Sequence, residues 1–162
     1  MKLLYLSLLL LLLPLPVICG EIRGIVVNVT DGDTLQVRSG EQIHKIRLVG
    51  IDAPELRQAF GRDARQALAE LTAGNLVVVI WSKRDRYGRL VGTVLLGSLD
   101  VNLYLIRNDS AWYFRRYAKD VPEIEQLQYE AAEAEAREGK RGLWQFPHPM
   151  APWKFRRAAR KK

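Results

Sequence analysis

The sequence is poor in cysteine and histidine. Cys19 is the single cysteine among 162 residues, and His44 and His148 are the two histidines. A chain starting beyond Cys19 has no thiol, which excludes disulfides, zinc–thiolate sites and a cysteine nucleophile. His44 falls mid-strand and His148 sits between Pro147 and Pro149. Neither has the neighbours that a paired-histidine or histidine–metal mechanism needs, and His44 reads as a surface strand residue. Ser39 and Ser82 have no histidine–acid context either. Acidic residues are also in deficit: 18 Asp and Glu face 25 Lys and Arg, a formal charge of +7. Such a domain is predisposed toward polyanions, either nucleic acid or anionic lipid, and charge alone does not choose between them. No internal repeat is visible.

A membrane-spanning run is missing too. The apolar stretch over residues 3–13 is followed by Pro14 and Pro16, and spanning takes about 20 apolar residues. Lys2 before this stretch and the small residues near Cys19 and Gly20 read instead as a secretory signal over residues 1–20, removed on export to the periplasm or the medium. Retention of this segment, or lipidation of Cys19, is the alternative that attaches the protein to a membrane. Bulky Ile18 disfavours the lipoprotein site. The remaining length suits one domain with its own core; the expected oligomeric state is a monomer.

From Glu21 the pattern turns β-rich. Strands are expected over residues 22–29, 34–38 and 45–51, joined at Asp31-Gly32 and Ser39-Gly40-Glu41, which makes a meander of tight turns. Within the third, Ile46 and Leu48 should oppose Arg47 and Val49. Further strands are expected over 76–81 and 89–96, with helices over 61–73, 101–106 and 123–137. In the last helix, Ile124, Leu127, Ala131 and Ala134 mark the expected buried stripe. Glu125, Glu130, Glu133 and Glu135 mark its solvated face, and Gly139 its cap. Residues 148–162 form the remaining segment, read with Trp144 and Trp153 as an extended piece pinned by tryptophan and ending in a basic tail. Five strands with an inserted helix fit a closed barrel better than a sandwich. The fold class is α+β, mainly β, with about three helices packed on the barrel.

Two acidic clusters stand out. Asp31-Gly32-Asp33-Thr34 makes a favourable turn, but the turn does not require Asp33. It lacks the later acids of an EF-hand. Asp52-Ala53-Pro54-Glu55 has the form of a helix start, with an Asp cap and Pro and Glu in the first turn. However, strand two begins at Asp33 and strand three ends at Asp52, and the two are antiparallel neighbours. Both carboxylates therefore reach one end of the sheet, with Glu55 nearby. They would repel unless a cation sat among them, and hard oxygen ligands favour Ca²⁺ or Mg²⁺. Arg47 precedes Asp52 on the same strand, where it either pairs with an acid or grips a phosphate with its planar fork. Arg89 follows a basic turn.

These segments together resemble the staphylococcal nuclease (thermonuclease) family. The likeness runs through Asp31-Gly32-Asp33-Thr34, then residues 47–55 from Arg47 to Glu55, and Asp85-Arg86-Tyr87-Gly88-Arg89, in order and spacing. It continues through Ala111-Trp112-Tyr113, the helix at 123–137, Gly142-Leu143-Trp144 and Pro152-Trp153, covering nearly all of the chain after the signal. The resemblance implies a nuclease domain on an OB-fold barrel over residues 21–147, cutting DNA or RNA at the P–O5′ bond to leave 3′-phosphate ends. It implies Ca²⁺ held by Asp33, Asp52 and the backbone carbonyl of Ala53, where the family often has threonine. Glu55 would orient or deprotonate the attacking water, and Arg47 and Arg89 would bind the phosphate and offset its developing charge. Tyr87 matches a nucleotide-contacting position and Tyr113 lies near another, with Phe114 standing where relatives have tyrosine. The alternative is a binding module that holds single-stranded nucleic acid without cutting it. Such a module has no need of Asp33, Asp52, Glu55, Arg47 and Arg89 together. Binding of anionic lipid by the basic tail is disfavoured, because the long amphipathic helix that interfacial binding uses is missing.

Overall fold

The computed structural model describes residues 20–160. The expected leader lies outside these, apart from Gly20, as do the last two lysines of the tail. Among the described residues no helix is long and apolar enough to cross a membrane.

Alternating burial builds the meander. Strands β1 (Gly20–Asp31), β2 (Thr34–Ser39) and β3 (Gln42–Leu48) pair antiparallel in sequence order. Leu35, Val37, Ile46 and Leu48 point inward and are essentially solvent-free. Strand β5 (Leu76–Arg84) pairs antiparallel with β1, and β6 (Leu90–Leu96) pairs antiparallel with β5. A parallel pairing of β3 with β6, Arg47 opposite Val91, then closes five strands into a barrel. Closure removes the open edges that a twisted sheet would otherwise present.

The strand expected over residues 45–51 is in fact two, because Gly50 sits at φ +72°. That conformation favours glycine, and a Cβ there would also strike Val121 at 2.6 Å. Beyond the kink, β4 (Ile51–Asp52) leaves the barrel and pairs with β8 (Trp112–Tyr113). The interrupted backbone stays satisfied. Val49 N–H donates to the Gly92 carbonyl at 2.9 Å, and Phe114 N–H to that of Gly50 at 2.7 Å. Asn102, fully buried on α2 (Val101–Arg107), donates to the Val49 carbonyl at 2.9 Å and accepts from Val94 N–H at 3.1 Å. The kink breaks the alternation: Leu48, Val49 and Ile51 are all buried, and Arg47 no longer shares one continuous strand face with Val49 and Ile51.

Helix α1 (Gly61–Thr72) forms as expected and buries Ala64, Leu68 and Thr72. Short β7 (Leu99–Asp100) extends β6 ahead of α2. Helix α3 (Glu123–Gly139) has the expected span but another rotation. It buries Tyr129, Ala132, Glu133 and Ala136, while Ile124 and Leu127 are 67% and 61% exposed. The spacing i, i+3, i+4, i+7 is still one helical face. Its phase is set by Tyr129, packed edge-on against Tyr113 at 5.8 Å, and by Glu133, whose carboxylate has partners inside. Lys140, not Gly139, takes the left-handed cap position.

The C-terminal segment is the largest departure from expectation. Residues Pro152–Ala159 form a helix, α4, with proline in its first turn, where a missing N–H costs nothing. Trp153 stacks on Phe114 at 5.0 Å and meets Trp112 edge-on at 5.6 Å, within a second core that includes Leu143, Trp144 and Ala151. The pinning by tryptophan is present, but the segment is a packed part of the fold instead of an extended tail.

Candidate active site

The first acid is placed by the β1–β2 turn. Asp33 N–H donates to Asp31 Oδ1 at 3.1 Å, and Thr34 opposes Arg47 across the β2–β3 ladder. Gly32 has no room for a side chain, since a Cβ would lie 2.6 Å from that of Ala53 and 2.9 Å from that of Ala64. Glycine here brings the turn against the Asp52–Glu55 segment. Asp33 Oδ2 accepts the Ala53 N–H at 2.8 Å, and its Oδ1 accepts the Thr34 hydroxyl at 3.1 Å.

Arg47 joins two carboxylates from separate strands. Its Nη1 lies 3.0 Å from Asp33 Oδ2 and its Nη2 donates to Asp52 Oδ1 at 2.9 Å. The two acids therefore lie within reach of a single cation, as the hairpin argument requires. Asp52 ends β4, residues 53–55 follow as a loop, and none of them caps a helix, because α1 begins only at Gly61. Glu55 joins the cluster through a residue that sequence reasoning missed. Arg156, on α4, donates from Nη2 to Asp52 Oδ2 at 2.7 Å and from Nη1 to Asp52 Oδ1 at 3.1 Å and Glu55 Oε1 at 2.7 Å.

Three carboxylates and two guanidinium groups leave the cluster negative, and burial makes that expensive. Charges about 4 Å apart near a protein surface interact by roughly 4 kcal/mol. Burial, with added repulsion from Asp33, pushes the Asp52 carboxyl up to about 6, against the opposing pull of Arg156 and Arg47. Burial and the Asp33 charge likewise push Asp31 up to about 6. Burial alone would lower Arg156; its bonds to Asp52 and Glu55 outweigh this and hold it above the ordinary arginine value.

The remaining expected residues are placed differently. Arg89 precedes β6, and its Nε donates to Asp85 Oδ2 at 2.7 Å instead of meeting Asp33, Asp52 or Glu55. Asp85 also accepts the N–H groups of Tyr87 and Arg89, which closes the turn. Tyr87 is 66% exposed, with the Arg89 guanidinium 5.4 Å from its ring centre. Tyr113 is 1% exposed and packs beside Tyr129. With Trp112, Phe114, Trp153, Arg115, Arg116 and Arg137 it lines a surface cavity of about 280 Å³.

Does the cluster fit calcium? Among the described residues no three acidic or histidine side chains close on one point as a cage. Asp33 and Asp52 supply a pair of hard oxygen donors, and the Ala53 contact seen is its N–H, which leaves its carbonyl as a donor. Calcium takes about six to eight oxygens and accepts water among them. Asp33 and Asp52 are both buried, with the partly exposed Glu55 beside them, and a pair of carboxylates completed by water suits it.

A family model described as Staphylococcal nuclease homologue matches residues 45–146. A protein of Escherichia coli O157:H7 termed an uncharacterized endonuclease is 41% identical over 153 residues, covering 94% of this chain and 96% of that one. Micrococcal nuclease of Shigella flexneri is 39% identical over 150 residues, covering 87% and 84%. The chain belongs to the staphylococcal nuclease family. The matched span of the staphylococcal nuclease model takes in Arg47, Asp52, Glu55 and Arg89, but begins after Asp33 and ends before α4. Arg156 therefore lies outside it. Its one visible signal was position, as an arginine shortly after Pro152-Trp153, and this does not reveal a partner 104 residues away.

Proposed function

We propose that the protein is a calcium-dependent nuclease that hydrolyses phosphodiester bonds of DNA or RNA at P–O5′, leaving 3′-phosphate ends. The observation that carries this reading is Arg47 bridging Asp33 and Asp52 at 3.0 and 2.9 Å, with Glu55 tied into the same cluster. Asp33, Asp52 and the Ala53 carbonyl would hold a calcium ion, which would supply positive charge against the phosphodiester. Arg47 then exchanges its carboxylate partners for phosphate oxygens, which its planar fork matches. Asp85 holds Arg89 through Nε, and one carboxylate does not fill the five-donor guanidinium, so Arg89 also presents donors to phosphate. Glu55, 39% exposed, receives the proton of the attacking water as a general base. Nucleotide contact through Tyr87 is compatible with its exposed ring.

Similarity to endonucleases and to a micrococcal nuclease supports the reaction class. Export is part of the proposal. Removal of residues 1–20 takes Gly20 alone from β1 and leaves the rest of every barrel strand. The experiment is chelation: purified protein should degrade denatured DNA and RNA with calcium supplied and stop in EGTA. Full activity in the chelator, or with Mg²⁺ alone, contradicts the calcium site.

A further inference from the structure

We propose that Arg156 is a built-in counter-cation for the metal site, and that α4 is a latch which a divalent ion must open. This rests on the calcium reading above and goes beyond it. Both Asp52 oxygens are engaged by Arg156, at 2.7 and 3.1 Å, and one of them also accepts from Arg47. Asp52 is fully buried, so no spare face of its carboxylate opens to solvent. A cation that takes Asp52 as a ligand must therefore displace the Arg156 fork. Glu55 is held by the same guanidinium at 2.7 Å, which keeps the base paired while the fork stays in place. One movement frees both the metal ligand and the base.

The helix is built to allow that movement. Its start is anchored: Ala151 and Pro152 are buried, Trp153 stacks on Phe114, and the Met150 carbonyl accepts from Gln58. Beyond Trp153 the grip weakens. Lys154 and residues 157–160 are exposed; Phe155 is partly buried, and Arg156, 37% exposed, ties the far half of α4 to the barrel through its ion pairs. In the metal-free protein the fork offsets charge that would otherwise gather among Asp33, Asp52 and Glu55. Metal entry makes it redundant there and returns a guanidinium to the rim.

The test compares the purified protein with Arg156→Ala and Arg156→Lys, titrated with calcium in a calorimeter without substrate. Arg156→Ala should bind calcium about tenfold more tightly, since a bidentate charge-assisted competitor is gone. Arg156→Lys, which keeps the charge but loses the fork, should fall between. In the unaltered protein, saturating calcium should speed tryptic cleavage after Arg156 and Arg157, located by mass spectrometry. Equal or weaker calcium binding in both variants, with measurable binding in the unaltered protein, overturns the latch and leaves the calcium reading standing. Failure of all three proteins to bind calcium overturns both. Should Arg156→Ala not fold, the lysine variant and the cleavage assay decide.

Discussion

Among the described residues, the α3 face and the barrel rim both bury carboxylates beside arginine, and they are built on different terms. On α3, Glu133 is 2% exposed; its Oε1 accepts the Tyr113 N–H at 3.0 Å and its Oε2 the Arg115 guanidinium at 2.7 Å. Arg137 Nη2 also lies 3.6 Å from Glu133 Oε1, and Arg115 Nε lies 3.6 Å from Glu130, so two acids meet two arginines, charge balances, and each Glu133 oxygen has its donor. At the rim, Asp33, Asp52 and Glu55 share Arg47 and Arg156, so negative charge is in excess and the partners are shared. Glu55 and Arg156 are also more than a third exposed there. A closed pair fixes a helix against a strand. An under-neutralised group with a partly exposed edge has a standing attraction for a cation. The contrast teaches that stoichiometry and access separate a site from a strut, because residue types do not.

The largest expected effects come from removing chemistry at the rim without removing its shape. Glu55→Gln keeps the side-chain volume and one acceptor but abolishes the base; turnover should fall by about 10² to 10⁴. Arg89→Ala should lower it by roughly 10² or more by removing charge-stabilising donors. Thermal unfolding of both should match the parent protein. Unchanged rates in both variants would refute the assigned roles and reduce the rim to a second strut.

The converse variant is Glu133→Ala. It leaves the buried Tyr113 N–H without an acceptor, which costs about 1–3 kcal/mol, read as a lower denaturation midpoint. Arg115 is 53% exposed and recovers water, which keeps the cost within that range. Calcium affinity and the specific activity of the folded fraction should stay at parental values. A loss of calcium binding with stability intact would show that the two acidic groups are one coupled system.

How far the sequence reaches depends on which forces are local. The meander was legible because alternation along β2 and tight turns at Asp31-Gly32 and Gly40 encode neighbour pairing directly. That pairing brings Leu48, the end of β3, beside Asp33; Asp52 lies past the Gly50 kink on β4, so its convergence was read from a strand that the structure divides. The break at Gly50 was not legible, because a glycine within an apolar run gives no sign of φ until its contact with Val121 is known. Arg89 was expected to face the acids, but local turn geometry gives it Asp85 first. Arg156 depends on a helix returning over the barrel from the far end of the chain, an arrangement that Trp153 stabilises and no local pattern announces.

The face of α3 is the finest test of this distinction between local pattern and tertiary partner. Hydropathy alone assigns Leu127 to the core and Glu133 to water; the structure has Leu127 61% exposed and Glu133 2%. Leu127→Gln should therefore shift stability by no more than about 0.5 kcal/mol, as for an ordinary surface position. Were Leu127 packed as its hydropathy implies, truncating its contacts would cost about 2–5 kcal/mol, as deletions of buried leucine do. Urea titration resolves that gap easily. A loss in the upper range would mean that α3 is rotated in solution, which would carry Glu133 off Tyr113 and Arg115 and dissolve the closed pair on which the comparison with the rim depends.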